Sequence, residues 1–124
     1  AARGPESFTY PWGEAQPTCS LLNYGFNCIG DTSEVGAYFD GRSWVGAFDL
    51  AGNVWEWVED WYSESYYEFS TIGNPTGPEY GDYRVMRGAS WGYDDPFRIR
   101  SSYRNILNYP HFEGFSVGFR CAQE

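Results

Sequence analysis

Residues 49–61 read Asp-Leu-Ala-Gly-Asn-Val-Trp-Glu-Trp-Val-Glu-Asp-Trp, and within them Val54, Glu56 and Val58 alternate with Trp55 and Trp57. A repeat of two is the period of a strand, not of a helix, so the pattern predicts a strand entered through the tight turn Ala51-Gly52-Asn53. Large rings would lie on one face and a lone carboxylate, Glu56, on the other. The plain reading is a core strand with one solvated glutamate. Asp49 and the bare backbone of Gly52, just upstream, also admit a calcium loop, because hard cations take a mixture of carboxylate and carbonyl oxygens. Elsewhere the pattern predicts only short strands, at 35–39, 83–86 and 117–121. Residues 14–40 otherwise read as loop. The run Gly73-Asn74-Pro75-Thr76-Gly77-Pro78 marks an irregular surface loop, and 5–13 an extended turn that enters the core at Trp12.

Composition fits a loop-rich domain. Aromatic residues make up 21% of the chain and there are 15 glycines, so rings fill space where glycines turn the backbone. With 124 residues the chain is one domain at most. Its net charge is −9, and all eight basic residues are arginines. An acidic, lysine-free surface argues against a nucleic-acid partner, which needs a concentrated positive face. No apolar run approaches a membrane span, and no charged-then-apolar signal segment opens the chain. Cys19 and Cys28 are either a staple across their loop or two free thiols, with Cys121 left over. Three cysteines without clustered histidines do not make a structural zinc site. Arg87, Arg100, Arg104 and Arg120 read as structural, since planar forks can bond several carbonyls or carboxylates where regular ladders are short.

Gly52-Asn53-Val54-Trp55-Glu56-Trp57 with its acidic, aromatic continuation resembles the signature of the formylglycine-generating enzyme, or sulfatase-modifying factor, family. The likeness continues through Tyr10-Pro11-Trp12-Gly13, Arg84-Val85-Met86-Arg87-Gly88-Ala89-Ser90-Trp91, Arg100-Ser101-Ser102-Tyr103-Arg104-Asn105 and Gly118-Phe119-Arg120-Cys121-Ala122. The resemblance implies an α+β fold, a C-type lectin variant with short strands and little regular secondary structure, across 1–124. Ala1-Ala2-Arg3-Gly4 resembles the end of a mid-domain helix of that family. The family's amino-terminal half would then lie outside this chain, be supplied by a second chain, or never have been part of a compact relative. A family bridge from the position of Cys121 would end at Ala2 here, so it is not expected.

The same resemblance implies two structural calcium sites. One would use Asn23, Tyr24, Asn27 and Ile29, with Asn27 replacing a frequent aspartate and so weakening the site. The other would use Asp49, Gly52, Val54 and Glu56. The family's oxidases hold copper through two cysteines placed a few residues apart after the Gly-Ser-aromatic block. Residues 92–99 of this chain contain no cysteine. Soft Cu(I) needs thiolates, so copper is not expected, and the oxidase chemistry cannot be carried over. Asp94 and Asp95 read as a solvated turn, and His111 as a surface or contact residue.

Residues 92–116 scatter rings among Gly, Ser, Asp, Asn and His with neither helical nor strand period, which suits a contact surface. The block from Arg84 to Trp91, then this stretch, then Gly118-Phe119-Arg120, resembles the variable proteins of diversity-generating retroelements. Their mechanism randomises adenines in template asparagine codons, which cannot yield Lys, Glu, Gln, Met or Trp. Between Gly92 and Ser116 only Glu113 belongs to that set. The resemblance implies a diversified, ligand-binding face at Gly92, Tyr93, Asp94, Phe97, Arg98, Ile99, Tyr103, Ile106, Leu107, Tyr109, His111, Phe112, Phe115 and Ser116. Trp91, Arg100, Ser101, Arg104, Asn105, Gly118 and Arg120 would be its frame. The expectation is a binding module, not an enzyme, that recognises a protein or cell-surface ligand; the alternative is a catalytically silent accessory or scaffold domain of the family.

Overall fold

The computed structural model describes residues 1–70, 73, 75–93, 95–106 and 113–121. Its centre is strand β1, Trp55–Trp61, flanked by β2, Arg84–Arg87, and by the two-residue β3, Val117–Gly118. β2 runs antiparallel to β1, pairing Glu56 with Arg87 and Trp57 with Met86, and β3 runs parallel to it, pairing Trp55 with Val117. The next β1–β2 pair is Trp61 with Arg84, so four steps along β1 match two along β2 and the strand bulges after Trp57. Two single-turn helices, α1 (Tyr66–Phe69) and α2 (Pro96–Ile99), and a 3-10 turn at Phe39–Gly41 complete the regular structure among the described residues. Among the described residues, no helix is long and apolar enough to cross a membrane.

The alternation around Trp55 becomes the core. Trp55, 2% exposed, packs with Tyr10, Leu22, Ala51, Met86, Ala89 and Ile99, while Trp12, Trp57, Tyr103 and Val117 close the edges. The predicted strand at 35–39 does not form. Val35 is 81% exposed, Gly36 is in the left-handed region at φ +79°, and its N–H donates to the Asp49 carboxylate at 2.7 Å, leaving no ladder to join. The strand expected at 117–121 ends at Gly118. Cys19 and Cys28 are bonded as a disulfide with Cα atoms 5.4 Å apart, and Cys121 is free and exposed.

With ladders this short, the turn at 49–53 and the arginines carry the hydrogen bonding. The Gly52 N–H donates to Gly88 O at 2.7 Å, and the Asn53 N–H to Asn23 O at 2.8 Å. A Cβ on Gly52 would stand 2.6 Å from that Asn23 oxygen, and Gly52 has φ +82°, so no other residue fits. Asn53 itself ties three segments: its O accepts from Trp91 N at 2.9 Å, its Oδ1 from Ser33 N at 2.9 Å, and its Nδ2 donates to Ser33 O. Arg87 donates to Ser101 O and Tyr103 O, both at 3.1 Å, and Arg104 to Ser63 O at 2.9 Å while lying over the rings of Tyr62 and Tyr67. The forks expected to be structural therefore are, at Arg87 and Arg104. Arg100 is the exception: it is exposed and lies over the Phe97 ring at 4.9 Å.

Candidate functional site

Three backbone bonds fix the start of the 92–106 stretch on the frame. The Trp91 N–H is held by Asn53, the Tyr93 N–H donates to Ser90 O at 3.1 Å, and Tyr93 O accepts from Gly25 N at 2.9 Å. Asp95 then caps α2 by accepting from Phe97 N at 2.9 Å, with Pro96 pre-set in the first turn. Beyond the helix, the Ser101 N–H donates to Thr9 O at 2.8 Å. One helical turn pinned at both ends sends successive side chains in different directions. Phe97 is 55% exposed, whereas Ile99 is 1% exposed and belongs to the core. Ile99 is thus misplaced in the expected face: its side chain packs beneath the helix, where a ligand cannot touch it.

The other described positions gather around two buried indoles. Tyr93 meets Trp55 edge-on at 5.8 Å between centroids, and Tyr103 lies 6.0 Å from the same ring. Phe97 stands edge-on to Tyr103 at 5.5 Å. Phe115, 82% exposed, rests on Trp91 at 5.7 Å. The Arg98 guanidinium lies 5.4 Å from the Tyr93 ring centre and 5.9 Å from that of Tyr103, donates to the Tyr103 hydroxyl at 3.3 Å, and sits 3.7 Å from the Asp95 carboxylate. Tyr93 and Arg98, positions five residues apart in the chain, are thereby in contact through ring and cation. Gly92, Ile106 and Ser116 are half-buried at the margin. Asp94, Leu107, Tyr109, His111 and Phe112 lie outside the described residues.

Phe26 joins this surface although its sequence gave no sign of it. It is exposed, meets Trp91 edge-on at 5.5 Å, and its ring would stand 3.8 Å from a Cβ at position 92. A ring in a distant loop becomes a neighbour beside the hydrogen bond that the Gly25 N–H donates to Tyr93 O.

Both expected calcium sites can be tested against their donors. Asp49, Gly52, Val54 and Glu56 line one cavity of about 250 Å³, together with Arg120. Two carboxylates and two carbonyl-bearing residues around one space suit a hard cation. Arg120 already uses part of that capacity: its guanidinium binds both oxygens of Glu56, with Nε at 2.6 Å, and donates to Phe48 O and Asp49 O at 2.9 and 2.8 Å. The Glu56 hydrogen bond is the main reason the pKa of Arg120 is raised; burial opposes it, and the charges of Glu56 and Asp49 add to it. A carboxylate has lone pairs for both partners, so the donor set fits with Arg120 orienting Glu56. At the first site, Asn23 is buried and its Oδ1 has no hydrogen-bond partner, while its Nδ2 donates to Asp31 O at 2.7 Å. A buried acceptor left open is the kind of oxygen a cation takes. Asn27 and Ile29 are exposed beside it.

Comparison with known proteins places this geometry in context. The model of the sulfatase-modifying factor enzyme 1-like domain matches residues 1–124. All of the chain aligns with a formylglycine-generating enzyme of Thermomonospora curvata at 34% identity, covering 46% of that protein. All of it also aligns at 38% identity with the serine/threonine-protein kinase Pkn1 of Chlamydia trachomatis, covering 19% of it. Among solved structures, variable protein 1 of Treponema denticola superposes with a TM-score of 0.73 over 95% of this chain and 41% of that one, at 26% identity. The chain therefore spans less than half the length of these relatives. The small mixed sheet, single-turn helices and long loops are those of the C-type lectin variant that these proteins share.

Proposed function

This chain belongs to the sulfatase-modifying factor family, and from that premise we propose that it is a ligand-binding module whose carboxy-terminal surface is diversified, as in the variable proteins of retroelements. The observation that carries the reading is the placement of Tyr93, Phe97, Arg98, Tyr103 and Phe115. They lie together on a floor of Trp55 and Trp91, at the stretch where the family's oxidases carry their cysteine pair and this chain has none. Rings with one edge on a rigid floor and the other in solvent lose little entropy on binding, and an arginine among them adds a directional cation. Their partner is a protein or a cell-surface ligand; a typical protein contact of about 800 Å² per side would use most of the face. Without the paired thiolates no oxidase step is assigned, and the module recognises without reacting. Calcium at the 49–56 cavity, and more weakly beside Asn23, Tyr24, Asn27 and Ile29, serves to hold loops and takes no part in recognition.

The test is the sequence of many copies of this gene from separate isolates. Substitutions should concentrate at the thirteen face positions other than Ile99, and a reverse transcriptase gene with a near-identical template repeat should lie nearby. Changes spread evenly over the chain, with no such repeat, would overturn the reading. They would favour the second one, a catalytically silent accessory domain, which is supported by the match to a 19% segment of a much longer kinase.

A further inference from the structure

We propose a second binding site, separate from that face, in the cleft between the amino-terminal turn and residues 39–46, and assign it a neutral polyhydroxylated ring, a monosaccharide unit, as ligand. The cleft measures about 520 Å³ and is lined by Phe8, Trp12, Asp40, Arg42 and Trp44, among others, none of which belongs to the carboxy-terminal face. That volume lies within the range of small-molecule sites, as does a lining of rings with a few polar groups.

Each wall is fixed before any ligand arrives. Trp12 stacks on Tyr10 with centroids 5.2 Å apart and planes 7° from parallel, and its Nε1–H donates to Ala15 O at 2.9 Å. Trp44 is 56% exposed, yet it packs against Gly4, where a Cβ would come within 3.0 Å of the indole. The 3-10 turn that presents Asp40 and Arg42 is pressed onto the loop beneath it so closely that a Cβ on Gly41 would stand 1.7 Å from Leu21 O. Arg42 lies 3.8 Å over the Phe39 ring and donates from Nη1 to Phe39 O at 2.7 Å, which leaves the other N–H groups of its fork for the cleft. A large indole held in solvent by a glycine is a poor use of apolar surface unless something covers it.

The charges then choose the class of ligand. Asp40 and Arg42 both line the cleft and form no ion pair with each other. A cationic ligand would meet Arg42, an anionic one Asp40 in a chain of net charge −9, and a wholly apolar one would strip water from both. A sugar ring satisfies all of them. Its C–H face covers an indole, one hydroxyl donates to the Asp40 carboxylate, and another accepts from the Arg42 fork, each bond assisted by charge.

The experiment titrates the folded chain with methyl α-mannoside, methyl β-galactoside and methyl β-glucoside, following the indole 1H–15N resonances of its six tryptophans. Tetramethylammonium and acetate are the charged controls. At least one glycoside should shift Trp12 and Trp44 saturably, with a dissociation constant on the order of 1 mM, and neither control should. Asp40→Asn and, separately, Arg42→Gln should each weaken that binding by about tenfold or more while the melting curve stays cooperative. The assignment fails if all three glycosides leave Trp12 and Trp44 unmoved, if tetramethylammonium or acetate shifts them, if the shifts fall on Trp55 and Trp91 instead, or if both folded variants bind as tightly as the parent.

Discussion

The turn at 49–57 and the surface at 92–103 are built from similar residues, rings and small polar groups, and are used in opposite ways. In the turn, Gly52, Asn53 and Glu56 each meet a partner from another segment: Gly88, Asn23 with Ser33 and Trp91, and Arg120. In the surface, Tyr93 meets Trp55 and Phe97 meets Tyr103 edge-on while both rings stay exposed, and Arg98 links Tyr93 to Tyr103. The first region cannot change Asn53 or Glu56 without orphaning a hydrogen bond elsewhere, nor Gly52 without a clash. The second can vary, because backbone bonds at Trp91, Tyr93 and Ser101 hold its path whatever the side chains are. A fold whose stability rests on turns and arginine forks, with short ladders, leaves one surface free to vary.

That contrast is broken most violently in the frame. Gly41→Ala must displace the Leu21 carbonyl, which sits 1.7 Å from the new methyl, so loss of cooperative unfolding, or a drop of about 4 kcal/mol or more in chemical denaturation, is expected. Trp55→Ala empties the centre of the core and should cost about 3–5 kcal/mol in the same measurement. Glu56→Ala removes the anchor of Arg120 at a partly exposed pair, for about 1 kcal/mol, and should also abolish any rise in melting temperature that calcium gives the parent chain. Because the pKa of Arg120 is raised, its share of that pair persists from neutral into alkaline solution and is lost only as pH climbs through the raised value. Phe97→Ala should change stability by less than about 1 kcal/mol while removing ligand contact, and a larger loss on denaturation would move Phe97 from face to core.

Much of the frame was legible in the sequence, because alternation reports directly on a strand that buries one face. β1 follows the rings at Trp55 and Trp57, and β2 differs from expectation by a single residue at each end. The 35–39 segment shows the limit. Its apolar residues carry the pattern of a strand, but Val35 stays exposed, and Gly36 turns the chain and bonds to Asp49 instead. Arg120 was readable as a structural fork; its clasp on Glu56 was not, since nothing local links residues that far apart. Ile99 fell to the core because α2 is one turn long, too short for a period to separate its inner side from its outer one. Phe26 entered the surface through a loop contact that no spacing encodes.

The division between fixed frame and free surface is tested most directly by one chain carrying Tyr93→Ser, Phe97→Ser and Phe115→Ser together, unfolded in urea beside the parent. Each replacement keeps a residue that template randomisation can supply. The account predicts a single cooperative transition with an unchanged slope and a combined loss below about 2 kcal/mol. A broadened transition, or a loss approaching that of Trp55→Ala, would show that these rings hold the fold together and contradict the account.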